Sequence, residues 1–156
     1  MKRLALLVPV VLLAGCAGSS PSGGASKADY LKKAEAICAK ANADQKALPK
    51  PTAVDTLSPY VAKVVAIADE ATSALKGLTV PAADSKALND KVFQPLETQL
   101  ATARDYSTKV TAASAAKDQA ALMKLLGNPP TKPLVDLRWM KSYGFKVCVD
   151  LADTSN

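Results

Sequence analysis

The sequence predicts an all-α protein, a four- or five-helix antiparallel bundle closed by one disulfide. Alanine, the strongest helix former, supplies much of the apolar content, while Phe, Trp and Tyr together make up only 4% of the chain. Apolar positions recur in steps of three and four, and nowhere do they alternate as in a strand. Proline and glycine clusters, notably Pro49-Lys50-Pro51 and Gly127-Asn128-Pro129-Pro130, cut this pattern into helix-length pieces.

The first segment is not part of the bundle. Lys2 and Arg3 precede an apolar run from Leu4 to Leu13, the layout of a secretory signal. The run falls well short of the roughly 20 residues of a membrane span, and Pro9 interrupts it. Its end, Leu13-Ala14-Gly15-Cys16, resembles the lipobox of bacterial lipoproteins. The resemblance implies that the Cys16 thiol receives a diacylglyceryl group, that cleavage makes Cys16 the first residue of the mature chain, and that palmitate-type acylation completes the anchor. Two or three acyl chains suffice for stable attachment, so the protein is expected on the extracytoplasmic face of the cell membrane. The competing reading is an ordinary secretory cut, which leaves Cys16 as an odd exposed thiol. Residues 1–15 are thus signal, 16–26 a tether, 27–149 the helical domain and 150–156 a polar tail. The Gly/Ser-rich tether has a root-mean-square reach of about 17 Å.

Ser26 and Asp29 give a cap and an acidic first turn to helix one, whose face reads Tyr30, Ala34, Ile37, Cys38, Ala41 and Leu48. Pro49 stops it. The second helix is expected to open at Ser58-Pro59, with Leu57, Val61, Val64, Ala68, Ala71, Leu75 and Leu78 as its stripe and Gly77 and Pro81 as its end. A third runs from Ser85 with the stripe Leu88, Val92, Leu96, Leu100, Ala103, Tyr106 and Val110. Its period continues across Pro95, which predicts one kinked helix and not two. A short helix from Asp118 to Leu126 turns Ala121, Leu122, Leu125 and Leu126 inward. The last, Leu134 to Tyr143, ends at Gly144, suited to a left-handed C′ residue, with Phe145 folding back.

Three cysteines occur, and the anchor takes one. The other two, Cys38 and Cys148, lie in an exported chain beside apolar neighbours, so they are expected to pair. In the chain-entropy account, closing a loop of roughly 100 residues stabilises by about 4.7 kcal/mol. The order of lipobox, tether, cysteine-bearing first helix, proline-rich breaks and a Tyr143-Gly144-Phe145-Lys146-Val147-Cys148 ending resembles small actinobacterial lipoproteins of uncharacterised function. That resemblance implies a disulfide-closed helical domain outside the cell membrane and no particular activity.

Histidine is absent, which excludes Ser-His-Asp and Cys-His triads, di-iron Glu-x-x-His pairs and His-based zinc sites. Ser85-Lys86, Ser107 with Lys109, and Lys141-Ser142 lack the Ser-x-x-Lys spacing that puts both groups on one helical turn. Asp69-Glu70 point apart, and Glu97 and Asp105 are isolated, so no carboxylate pair is legible. No calcium loop or phosphate cradle occurs, so no catalytic residue, metal or cofactor is assigned. The net charge is +6, two charges of it in the signal, and it is carried mostly by lysine; that suits an anionic membrane surface better than nucleic acid, which is not expected as a partner. Trp139, Tyr143 and Phe145 form an aromatic group near Cys148, either filling the bundle end or lining a ligand groove.

The expected function is therefore a lipid-anchored envelope binding module, not an enzyme, holding a partner protein, a wall polymer or an apolar ligand. An envelope hydrolase using carboxylates or a Ser/Lys pair is the alternative. An apolar groove between helices favours the ligand version, a flat patch favours the partner version, and facing carboxylates in a cleft favour the hydrolase.

Overall fold

A computed structural model describes residues 25–130 and 132–153, and these are helical with no strand. The expected signal, Cys16 and nearly all of the tether lie outside the described residues. Helix α1 (Lys27–Ala47) starts where Ser26 Oγ accepts the Asp29 N–H at 3.1 Å, as the sequence led one to expect, and it buries Tyr30, Ala34, Cys38 and Ala41. No helix of the described residues is long and apolar enough to cross a membrane.

Helix α2 (Val54–Lys76) begins a full turn before the expected Ser58-Pro59 start. Thr56 replaces the missing cap: its hydroxyl takes the Ala53 N–H at 3.3 Å and donates to the Ala53 carbonyl at 2.7 Å. Pro59 therefore sits inside the first turns, where its lack of an N–H costs one helical bond. Ser58 is not a cap; its Oγ pairs with Thr111 Oγ1 across to another helix at 2.9 Å.

After a 3₁₀ turn, a continuous helical run follows: α3 (Ser85–Leu88), a π-helical turn over Asn89–Phe93, and α4 (Gln94–Ala115). Where a kink was expected at Pro95, the run carries this π turn just before the proline. Pro95 cannot donate to the Lys91 carbonyl, and the Asp136 N–H takes that carbonyl instead at 3.2 Å. Asp136 then ties the C-terminal segment down twice more, with Oδ1 accepting the Trp139 N–H at 2.9 Å and Oδ2 pairing with Lys91 Nζ at 2.8 Å. The Lys91 ammonium, and after it the Trp139 N–H, hold the Asp136 carboxyl below the usual carboxylate range.

Helix α5 (Gln119–Leu126) is capped by Asp118, whose carboxylate accepts the Ala121 N–H at 2.9 Å. Leu122 is its buried residue, while Leu126, expected inward, is 42% exposed because α5 packs through one side only. Helix α6 (Leu137–Tyr143) begins three residues after the expected Leu134, at the Asp136 cap, and leaves Leu134 47% exposed. Gly144 ends it at φ 117°, and the Phe145 N–H returns to the Met140 carbonyl at 3.0 Å. The positive φ calls for glycine there, and a Cβ would stand 3.0 Å from Leu31 Cδ1, close enough to make that side chain shift.

Helix α7 (Val147–Asp153) occupies the start of the stretch expected as a polar tail. It has no capping residue of its own in sequence. Glu35 of α1 caps it from across the molecule, with its carboxylate accepting the N–H groups of Lys146 at 3.0 Å, Val147 at 2.7 Å and Cys148 at 3.4 Å. Cys38 and Cys148 are joined in a disulfide that closes a sequence separation of 110 residues, as expected. The main core gathers Tyr30, Cys38, Leu88, Val92, Met140, Phe145 and Val149 beneath α6 and α7. A smaller core of Val110, Ala113 and Leu122 lies at the other end of α4.

Candidate functional site

Helix α2 packs on both α1 and α4, and α7 packs on α1; α1 and α4 are not closely packed on each other. The facing side chains are too small to close the space that results. Ala41 on α1, Ala68 and Ala71 on α2, and Ala103 on α4 stop at Cβ, and a groove of about 240 Å³ remains between the helices. Leu100, Phe145 and the Cys38–Cys148 disulfide form its deeper wall. Leu151 and Ala152 of α7 and Gln45 of α1 line it at half-buried positions.

No residue lining the groove carries a charge. Its polar members are Tyr30, Gln45, Thr72 and Gln99. Thr72 is the informative one: the residue is 8% exposed and stands on the groove wall, while the sealed side-chain oxygens without a partner are those of Tyr30 and Ser114. Helical threonines usually bond back to the carbonyl four residues earlier, as Thr98, Thr102 and Thr108 do here at 3.0 Å. On Gln99 the assignment of oxygen and nitrogen is fixed by its neighbour. The exposed Leu134 N–H points at the Gln99 side-chain oxygen at 3.2 Å, so the amide NH₂ is the end left to donate.

Thr72 and Gln99 lie at one level of the α2–α4 pair. The ion pairs Lys76–Glu97 and Arg104–Asp69 bracket them above and below. Tyr30 stands at the deep end with its ring wholly buried and its hydroxyl unpartnered, and burial pushes that phenol up to about 12.

A second hollow of about 230 Å³ also borders α1 and α2. Lys40, bonded to Asp44 at 2.7 Å and Glu70 at 3.0 Å, lies at its edge, so it offers charges already paired with one another.

Of the three candidate aromatics, the structure brings one to the groove. Trp139 stacks on Tyr143 with ring centroids 4.8 Å apart, and Tyr143 stacks on Phe145 at 5.5 Å, but only Phe145 lines the groove. Tyr143 is otherwise engaged. Its hydroxyl donates to Asp84 Oδ2 at 2.7 Å and the Lys27 ammonium sits 4.0 Å above its ring. Burial, and then the Asp84 carboxylate, drive its phenol far up.

The residues weighed for chemistry are likewise committed elsewhere. Asp69 holds Arg104, Glu70 holds Lys40, Glu97 holds Lys76 and Asp105 holds Lys109. Ser85 and Ser142 donate to backbone carbonyls, and Lys86 pairs with Asp90. Among the described residues no cluster of His, Cys, Asp and Glu could hold a metal ion.

Thr72, Gln99 and Glu35 carried no signal in the sequence reading. The nearest available hint was the run of alanines on the core stripes of three different helices, which marks where a bundle is left thin. No protein family, characterised protein or solved structure matches this chain.

Proposed function

We propose that the chain is a lipid-anchored cell-envelope protein whose helical domain, a four- or five-helix antiparallel bundle, binds a small apolar molecule in the groove between α1, α2 and α4. The observation that carries this reading is the groove's composition. An open space of about 240 Å³ walled by aliphatic and aromatic side chains, with no charge among them, is the kind of surface that gains free energy by exchanging water for apolar ligand. The anchor on Cys16 and the tether after it would hold this groove beside the extracytoplasmic face of the membrane, where apolar molecules are concentrated. A partner protein or wall polymer as cargo has less support, because the apolar surface here is concave and narrow. The hydrolase alternative finds no carboxylate on the groove wall.

The experiment uses the full chain reconstituted in phosphatidylcholine vesicles and follows thermal unfolding with methyl octanoate. The midpoint is expected to rise with ligand and saturate. Ala68→Phe with Ala103→Phe, substitutions at non-buried positions that reach into the groove, should abolish the rise without unfolding the protein. An unchanged midpoint in the unsubstituted protein would contradict the reading. Intact mass of the membrane-extracted protein tests the anchor separately. A chain that begins at Cys16 with acyl chains attached supports it; an unmodified Cys16 removes it.

A further inference from the structure

Thr72 and Gln99 place two polar groups at one level of the groove, apart from the Tyr30 hydroxyl at its deep end. Thr72 offers a hydroxyl on the groove wall, in a residue that is 8% exposed. Gln99 offers amide N–H groups whose orientation is set by the Leu134 N–H on its oxygen. Standing on the groove wall, the Thr72 hydroxyl can turn from the carbonyl of the preceding turn to an incoming acceptor. Most of the lining around this pair is apolar, and no lysine, arginine, aspartate or glutamate lines the groove to neutralise a charge.

Resting on the groove reading above, we propose that the ligand is a neutral, single-chain amphiphile, an ester or alcohol, whose oxygen accepts hydrogen bonds from Thr72 and Gln99 while its alkyl chain fills the alanine-lined channel. Size follows from volume. A wholly apolar cavity of roughly 150 Å³ takes one benzene, so about 240 Å³ has room for about ten non-hydrogen atoms. Fatty acids in ionised form and alkylammonium ions are excluded by the missing counter-charge. A chain much longer than about ten carbons gains nothing further from the groove, because its excess stays outside.

The test measures uptake of radiolabelled probes by phosphatidylcholine vesicles bearing the full chain, over protein-free vesicles. Saturable decane uptake, lost in Ala68→Phe with Ala103→Phe, reports the groove itself. Across methyl esters from butanoate to dodecanoate, affinity should rise about fourfold per methylene and level off near eight to ten carbons. Methyl octanoate should bind about fivefold tighter than the alkane of equal length, the worth of one net hydrogen bond. Octylammonium and octanoate should bind at least tenfold more weakly than the ester. Thr72→Val with Gln99→Met should remove the ester's advantage over the alkane measured on the same protein, and Thr72→Ser should keep it.

Absence of saturable uptake for every probe overturns the groove reading and this inference with it. Saturable decane uptake with no preference for the ester, or with octylammonium bound as well as the ester, overturns this inference alone. An ester advantage that survives in the Thr72→Val, Gln99→Met protein overturns the assignment of the two donors.

Discussion

Tyr30 carries a buried phenol hydroxyl with no hydrogen-bond partner among the described residues, on the wall of the groove. Its place on the core face of α1 was legible from helical spacing, and it is 1% exposed. That its hydroxyl would be left without a partner was not, since the answer depends on what residues distant in sequence place around it. Removing the hydroxyl removes a desolvation penalty, so Tyr30→Phe is expected to stabilise the protein by about 1 kcal/mol at neutral pH in guanidinium melts. Its titration adds a second signature. The phenol ionises near pH 10 in the unfolded chain and at about 12 in the fold, so its contribution is intact below about pH 10 and is lost as pH rises toward 12. Tyr30→Phe should therefore lose less stability than the parent protein between those values. A variant that is destabilised by more than 1 kcal/mol at pH 7 would mean that the hydroxyl has found a partner.

At the scale of elements, the helices were legible because each buries a stripe whose spacing is local, and Ser26, Gly144 and Pro95 are local signals too. Boundaries that depend on distant groups were not. The start of α6 depends on Asp136 reaching Lys91 and its carbonyl, 45 residues away in sequence. Helix α7 depends on Glu35, which is more than 100 residues away and caps three of its N–H groups. No reading of residues 146–153 alone could supply that acceptor. Glu35→Ala should cost about 1–2 kcal/mol, the worth of a helix cap, and should speed amide hydrogen exchange in α7 before the rest of the protein. Glu35→Gln, which keeps one carbonyl acceptor, should lose about half as much. Uniform exchange across all helices in Glu35→Ala would show that α7 is held by other means.

At the scale of the whole molecule, the disulfide and the groove share a cause. Alanine-rich helices form readily and pack incompletely, which leaves a groove between α1, α2 and α4 where larger side chains would add buried apolar contact. The Cys38–Cys148 bond offsets the shortfall by pinning α7 to α1 along the groove wall. Replacing both cysteines with alanine should cost about 2–5 kcal/mol and lower the thermal midpoint to the same extent as reductant does on the parent protein. A midpoint indifferent to reductant would mean that the bond contributes nothing to the fold. The pairing was legible by counting cysteines; the groove was not, because a cavity is the absence of side chains where three separate helices meet. The most direct test of the groove's role is photolabelling. A methyl octanoate analogue bearing a diazirine on its chain, irradiated with the full-length protein in vesicles, should label Leu100, Ala103 and Leu151 saturably and be displaced by unlabelled ester. Labelling that is spread over exposed residues and is not displaced would show that the ligand reaches the protein only from the surrounding lipid, and that the groove binds nothing.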